Sequence, residues 1–230
     1  MLFFVNDPGG FAAAVASLTA MGSEDWSSAA NAPATPVVEP LLPGVANPPF
    51  PHGTNPATGL IAQSNTLGGA ASTPSPGAGL FYAPAGFQGV SGAAQPSEQL
   101  SANTIPSSFD LFFATAGGTV PHAVQMSPMY YQVVGPSPSA TLTVQAYDSG
   151  SVLLGSTAVP NVADTSESAF LGVVATAGST LRRVNLWAGS TDVAGADNIT
   201  VYGAPEPPSA GGVAALGALA GLRRSRLGAS

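Results

Sequence analysis

The sequence predicts an all-β fold: an antiparallel, jelly-roll-like β-sandwich with one short N-terminal helix and a C-terminal apolar helix tail. Two observations carry this expectation. Beyond residue 105, apolar runs alternate with Gly, Ser, Pro and Asp punctuation, the texture of short strands joined by turns. Charged residues make up only 7% of the 230 residues, while Gly and Pro number 28 and 22; an average soluble domain carries about 25% charge. A hydrophobic fraction of 45% still supplies the apolar area that a disordered chain lacks.

Charge and cysteine content exclude several functions. Lys is absent, so the five basic residues are Arg182, Arg183, Arg223, Arg224 and Arg226 against 12 acidic ones, a net charge of −7. Such a surface repels phosphate backbones, which excludes nucleic acid as a partner. With no Cys, neither a disulfide framework nor a thiolate metal site can form.

Leu2 to Val5 is short and apolar, and suits a strand at the edge of the core. Asp7-Pro8 then reads as N-cap and first helical residue, and Phe11, Val15 and Leu18 share one face of the helix that runs on to Leu18. Residues 27 to 104 are Pro-, Ala-, Gly- and Ser-rich. Pro removes ladder donors, so few strands belong there; the best islands are Leu60-Ile61-Ala62 and Gly79 to Tyr82. Eight strands follow: Ser108 to Ala114, His122 to Met126, Met129 to Val134, Ala140 to Tyr147, Val152 to Ala158, Ala169 to Ala175, Leu181 to Trp187 and Asn198 to Tyr202. Thr141, Thr143 and Gln145 alternate with Leu142, Val144 and Ala146, which gives that strand one wet and one packed face. Asp148-Ser149-Gly150-Ser151 reads as a hairpin turn with Gly150 at positive φ. The sandwich spans 1–203, and 204–230 form a separate tail.

The tail has three parts in a fixed order. Pro205-Glu206-Pro207 lies in a stiff, donor-poor connector. An uncharged stretch follows from Ser209 to Leu222, and Arg223, Arg224 and Arg226 close it. As a helix the stretch spans about 21 Å, short of the roughly 30 Å hydrocarbon layer, with an Arg cluster as its stop. This arrangement resembles the PEP-CTERM sorting signal of bacterial exported proteins. The body is similar to proteins that carry this tail in Asn6-Asp7 to Phe11, in Glu24-Asp25-Trp26, in Val144 to Ser156, in Phe170 to Val174, and in Arg183-Val-Asn-Leu186 and Asp197-Asn-Ile-Thr-Val201. The resemblance implies export to the cell surface or extracellular polymer, transient membrane contact of the C-terminal segment, and a membrane transpeptidase-like exosortase as partner. Met1-Leu-Phe-Phe-Val lacks the basic and long apolar regions of a secretory signal, and residue 2 already reads as domain, so the true start is expected upstream.

Candidate chemistry is sparse. His52 and His122 are the only His, both follow Pro, and neither sits in a ligand-spaced cluster. A Ser-His hydrolase has no Gly-x-Ser-x-Gly elbow to build on. A glycosidase needs two carboxylates facing a cleft, for which Glu24, Asp25, Glu39, Glu98, Asp110, Glu167 and Asp197 are available. The expectation is no catalytic residue. Ca²⁺, which takes oxygen ligands, has weak candidates in Glu24, Asp25 and Asp197, because first and last strands of a sandwich often adjoin. Arg182 and Arg183 point to opposite faces of a strand, so at most one serves any surface, and one pairs with a carboxylate. Asn198-Ile-Thr200 is a formal glycosylation sequon. Trp26, Tyr82, Tyr130, Tyr131 and Trp187 lie in otherwise apolar runs and read as core packing, with a sugar-stacking platform as the alternative. These readings leave two functions: a structural or adhesive component of the envelope or its polymer matrix, and a carbohydrate-binding module with Ca²⁺ as its candidate cofactor.

Overall fold

A computed structural model describes residues 1–24, 36–37, 60–65, 80–83, 99–102, 108–113, 115, 119–132, 139–163, 168–176, 178–189 and 192–205. The described chain runs β1 (Leu2–Val5), α1 (Pro8–Ala14), β2 (Thr19–Glu24), β3 (Pro36–Val37), β4 (Ile61–Asn65), β5 (Leu80–Ala83) and β6 (Gln99–Ala102). It continues through β7 (Ser108–Phe112), β8 (Thr119–Gln132), β9 (Ser139–Tyr147), β10 (Leu153–Ala163), β11 (Leu171–Val174), β12 (Arg183–Trp187) and β13 (Asp192–Pro205). Two antiparallel sheets form the all-β sandwich that the sequence predicts. One is eight-stranded in the order β1-β11-β8-β13-β6-β5-β3, with β2 also on β13; the other is five-stranded in the order β10-β9-β12-β7-β4. The C-terminal helix tail expected from the sequence lies outside the described residues, and no described helix is long and apolar enough to cross a membrane.

Between the sheets the alternation works as anticipated. Phe109, Leu111, Leu142, Val144, Val184 and Leu186 of the five-stranded sheet meet Val124, Met126, Leu171, Val173, Ile199 and Val201 of the larger one. Each strand therefore turns its other residues outward. On β9 these are Thr141, exposed, and Thr143 and Gln145, half-buried.

The strands Val124 and Met129 belong to are one, not two. β8 runs straight through Pro128, which opposes Ala196 of β13. β11 pairs with β8 only as far as Met126, so among the described residues Pro128 falls where β8 has a neighbour on one side alone, a place where a strand tolerates a missing donor. The last strand is likewise longer than expected, starting at Asp192 and ending at Pro205. It bends at a bulge between Asp197 and Thr200, where Asn198 adopts φ 52; Asn is among the few residues that take this conformation readily.

α1 starts as the sequence indicates, with Pro8 in the first turn and the Asp7 carboxylate accepting from the Gly10 N–H at 2.9 Å. It stops at Ala14, earlier than expected, and a turn carries the chain to Leu18. The helix covers the outer face of the larger sheet with Phe11, which is 1% exposed. Its ring meets Phe4, Phe170 and Tyr202 edge-on at 5.9, 5.8 and 5.6 Å. Directly beneath lies Gly172, where a Cβ would stand 2.2 Å from Phe11 Cδ2. The β9–β10 turn also departs from expectation: the positive φ belongs to Ser151, at 61°, and not to Gly150. Asp148 imposes this by accepting from both the Gly150 and Val152 N–H groups, at 2.8 and 2.9 Å, while its own N–H donates to the Val152 carbonyl.

The packing of Phe11 on Gly172 yields a direct test. Gly172→Ala displaces a ring held on three sides and costs about 1–3 kcal/mol in urea unfolding. Gly9→Ala, whose new Cβ meets nothing closer than 4.0 Å, leaves the midpoint unchanged or raises it. Equal midpoints for the two variants would contradict the packing described.

Candidate functional site

The outward residues of the five-stranded sheet bring together four of the buried polar side chains among the described residues, Ser108, Asp110, Arg183 and Asn185. The register sets it out. Arg183 on β12 opposes Tyr147 on β9 and Phe112 on β7; Asn185 opposes Gln145 and Asp110; Trp187 opposes Thr143. All these side chains share the face turned away from the sandwich core. Outward residues of a sheet are ordinarily wet, yet Arg183, Asp110, Asn185 and Ser108 are 3%, 0%, 1% and 0% exposed.

Their partners follow from the alignment. Arg183 Nη1 lies 3.3 Å from Asp110 Oδ2, a diagonal contact across adjacent strands. The guanidinium sits over the Tyr147 ring at 3.8 Å and beside the Phe112 ring at 6.0 Å, the stacked geometry a weakly hydrated, planar cation favours. The Asn185 amide donates to Asp110 Oδ1 at 2.7 Å and to Ser108 Oγ at 2.8 Å. The Tyr147 hydroxyl donates to Gln145 Oε1 at 2.9 Å. Burial pushes the Tyr147 phenol above its ordinary pKa, and Asp110 adds to the rise, while the Arg183 guanidinium pulls the other way. The cluster is charge-neutral overall, one Arg against one Asp.

The row opens toward one end. Trp187, Gln145 and Thr143 are half-buried, and Ser156 and Ala158 on the neighbouring β10 are exposed. Trp187 therefore belongs to this outer face and not to the core. Arg182 points the other way and donates to the Phe113 carbonyl. The expectation that one of the adjacent arginines pairs with a carboxylate is met by Arg183.

The weak Ca²⁺ candidates divide. Glu24 closes β2 opposite Ile199 of β13, and Asp197 lies two residues before Ile199 on that strand. Both are buried, at 2% and 0% exposure, and the Asn198 amide donates to Asp197 Oδ2 at 3.3 Å. Asp25 lies outside the described residues, and no group of three or more His, Cys, Asp or Glu occurs among those described. Asn198 of the sequon is exposed at the bulge. His122 is half-buried on β8, and its carbonyl accepts from the Ala175 N–H at 2.7 Å. Of the sorting residues, Pro205 ends β13 opposite Thr119; Glu206, Pro207, Arg223, Arg224 and Arg226 lie outside the described residues. So do His52, Trp26, Glu39, Glu98 and Glu167, together with the side chains of Tyr82, Tyr130 and Tyr131.

Neither a family model nor a curated protein matches the chain. Solved structures do. The carbohydrate-binding module TmCBM61, in complex with β-1,4-galactotriose, is 12% identical with a TM-score of 0.37 over 70% of this chain and 97% of that one. A mutant of the carbohydrate-binding module CBM29-2, complexed with mannohexaose, is 12% identical with a TM-score of 0.30 over 62% and 92%. The arabinose-bound α-L-arabinofuranosidase MgGH51 is 12% identical with a TM-score of 0.33, over 55% of this chain and only 22% of that enzyme. What can be said of the site in this chain comes from its own side chains.

Removing one member of a buried ion pair strands the other. Asp110→Ala and Arg183→Met should each lower urea stability by about 3 kcal/mol, and the double variant by clearly less than their sum. Strict additivity in that cycle would show that the two groups do not interact.

Proposed function

We propose that the chain is a non-catalytic, exported β-sandwich that binds neutral polysaccharide through the outer face of its five-stranded sheet, as an adhesive component of the envelope or polymer matrix. The observation that carries the reading is the row Arg183, Asn185, Trp187: two buried polar groups with fixed partners, then a half-buried indole toward the open end. A pyranose ring has an apolar face for the indole and hydroxyls for the polar neighbours, and sites of this kind combine aromatic surface with a few well-placed polar groups. Its partner should be uncharged. Arg183 is neutralised by Asp110 at 3.3 Å, which leaves this face no other cation among the described residues for a uronate or phosphate, and a chain of net charge −7 repels polyanions.

The route to that partner is read from the tail. Pro205-Glu206-Pro207, the apolar stretch and the Arg cluster support sorting by a membrane transpeptidase of the exosortase type, which leaves the sandwich outside the cell.

Affinity electrophoresis of the full chain tests the binding reading. Gels cast with hydroxyethylcellulose, galactomannan or β-1,4-galactan should retard the protein relative to albumin in at least one case, and Trp187→Ala should restore free mobility. Unretarded migration in all three would leave a purely structural role. Export is tested separately by intact mass after expression beside an exosortase, from both Met1 and an upstream-extended start. The expected result is a mature form cut near Pro205 to Pro207; an uncut, cell-retained product from both starts would remove the sorting assignment.

A further inference from the structure

Both sheets end on one flank of the sandwich, the larger at β1 and the smaller at β10. The two edges adjoin: a Cβ added at Gly155 of β10 would stand 3.3 Å from the Met1 side chain and 3.1 Å from that of Phe3. The exposed large hydrophobic residues of the described chain gather at these edges, with Leu2, Val152 and Leu153 at 50%, 59% and 49% exposure. The edges differ in length. β1 has four residues, whereas β10 has eleven and among the described residues pairs with β9 alone.

A strand that ends a sheet presents a row of unpaired N–H and C=O groups, a template for another strand, and charged side chains commonly guard it. β10 has no such guard. From Ser149 to Ala163 the sequence contains no Asp, Glu, Lys or Arg. Its ladder with β9 is regular from Gly155 to Val159, with a register shift on either side, and Pro160 follows. Bulges and Pro interrupt pairing, so the edge open to a new strand is a short window centred on Thr157. Within it, Ser156 and Ala158 are exposed. These features select the occupant. Copies of a chain with net charge −7 repel one another, and the uncharged edge of β10 lets two of them meet without opposing charges. The window is also its own complement. A half-turn about an axis through Thr157, normal to the sheet, sets an antiparallel copy alongside, with Ser156 opposite the partner's Ala158 and Gly155 opposite the partner's Val159. Val152 and Leu153 lie just beyond the window, at the end that meets the partner's Pro160, and give the seam apolar contact.

We infer that β10 is a self-association edge, to which a second copy of this chain adds antiparallel to form a closed dimer. An isologous contact uses the edge of both copies and stops at two. It joins the five-stranded sheets of the two copies into one continuous sheet, with their outer faces on the same side. A polymer that binds this face then meets two sites at once, although the dimer itself does not rest on the carbohydrate reading. So short a seam makes a small interface, and the association is weak.

Sedimentation velocity of the full chain across the micromolar range, at low and high NaCl, reads the association on unmutated protein. The expected result is a monomer–dimer equilibrium with nothing larger, strengthened by salt because screening relieves the repulsion between two acidic copies. Ser156→Lys combined with Ala158→Lys should weaken it by roughly tenfold or more, since like charges then stand directly opposite each other across the seam. Both positions are exposed in the single copy, so the fold is spared. The pair also lowers the net negative charge, so association through any other surface would hold or grow stronger. The register is read separately. The chain has no Cys, and Thr157→Cys places a lone thiol beside its own copy on the axis. Mild oxidation should link that variant as a dimer and leave Thr141→Cys, exposed on β9 and one strand away from the seam, unlinked. A monomer at every concentration and salt, species larger than a dimer, or a dimer that survives the paired Lys substitutions would overturn the edge. Linking of both Cys variants alike, or of neither, would overturn the axis at Thr157.

Discussion

The antiparallel ladder between β8 and β13 is the constraint on which the rest of the sandwich hangs. It joins two fourteen-residue strands from Asp192 opposite Gln132 to Pro205 opposite Thr119. Every other part of the larger sheet is attached to it. β11, and through it β1, adds to the first half of β8; β6 adds to the first half of β13 and β2 to the second. A ladder this long cannot stay flat, because strands twist, and the bulge at Asn198 absorbs the change in direction. The change of neighbour follows the bulge: β6 pairs at Gly195 and Ala196, and β2 takes over from Ile199. The ladder also sets the roof over which α1 packs, because Ala123 of β8, Tyr202 of β13 and Val174 of β11 together form the floor under Phe11 and Val15.

Much of this was legible wherever local chemistry and tertiary demand agree. Asp7-Pro8 specifies a helix start without reference to anything distant, and the Thr-Leu-Thr-Val-Gln-Ala run specifies a strand with one packed face. What was not legible depended on neighbours remote in sequence. The Asp192 to Asp197 half of β13 is rich in Ala and Gly, with little strand propensity of its own; it is a strand because β8 and β6 hold its backbone. Pro128 reads as a break until the pairing of β11 with β8 is known to end at Met126. In the β9–β10 turn, Gly150 is the residue with the freer backbone, yet Asp148 takes its N–H and that of Val152, which leaves Ser151 to carry the positive φ. Residue preference yielded there to a side-chain acceptor.

The site was half legible for a related reason. Arg182-Arg183 on a strand could be resolved by alternation into one inward and one outward group, and a carboxylate partner for one of them followed. The identity of that partner could not, because Asp110 is 73 residues away. Asn185 and Ser108 were passed over, although a signal existed. Ser108 and Asp110 alternate with Phe109 and Leu111, just as Arg183 and Asn185 alternate with Val184 and Leu186. Two strands with matching polar alternation are candidates for adjacency on one face, and here they are adjacent. Trp187 reads as core because it sits in an apolar run, which conceals the face an aromatic takes; only the register with Thr143 puts it on the outer face.

The composition gives the cluster its meaning. A body with two Arg and no Lys up to residue 205 has placed one of them in a buried pair on the outside of a sheet. Replacing such a pair by apolar side chains of similar size is often neutral or stabilising, so stability alone is a weak reason for keeping it. What the pair does is hold Asp110 in place, and Asp110 with Ser108 fixes which way the Asn185 amide points. The ion pair, the stacked tyrosine and the serine thus fix the Asn185 amide on the outer face of β12.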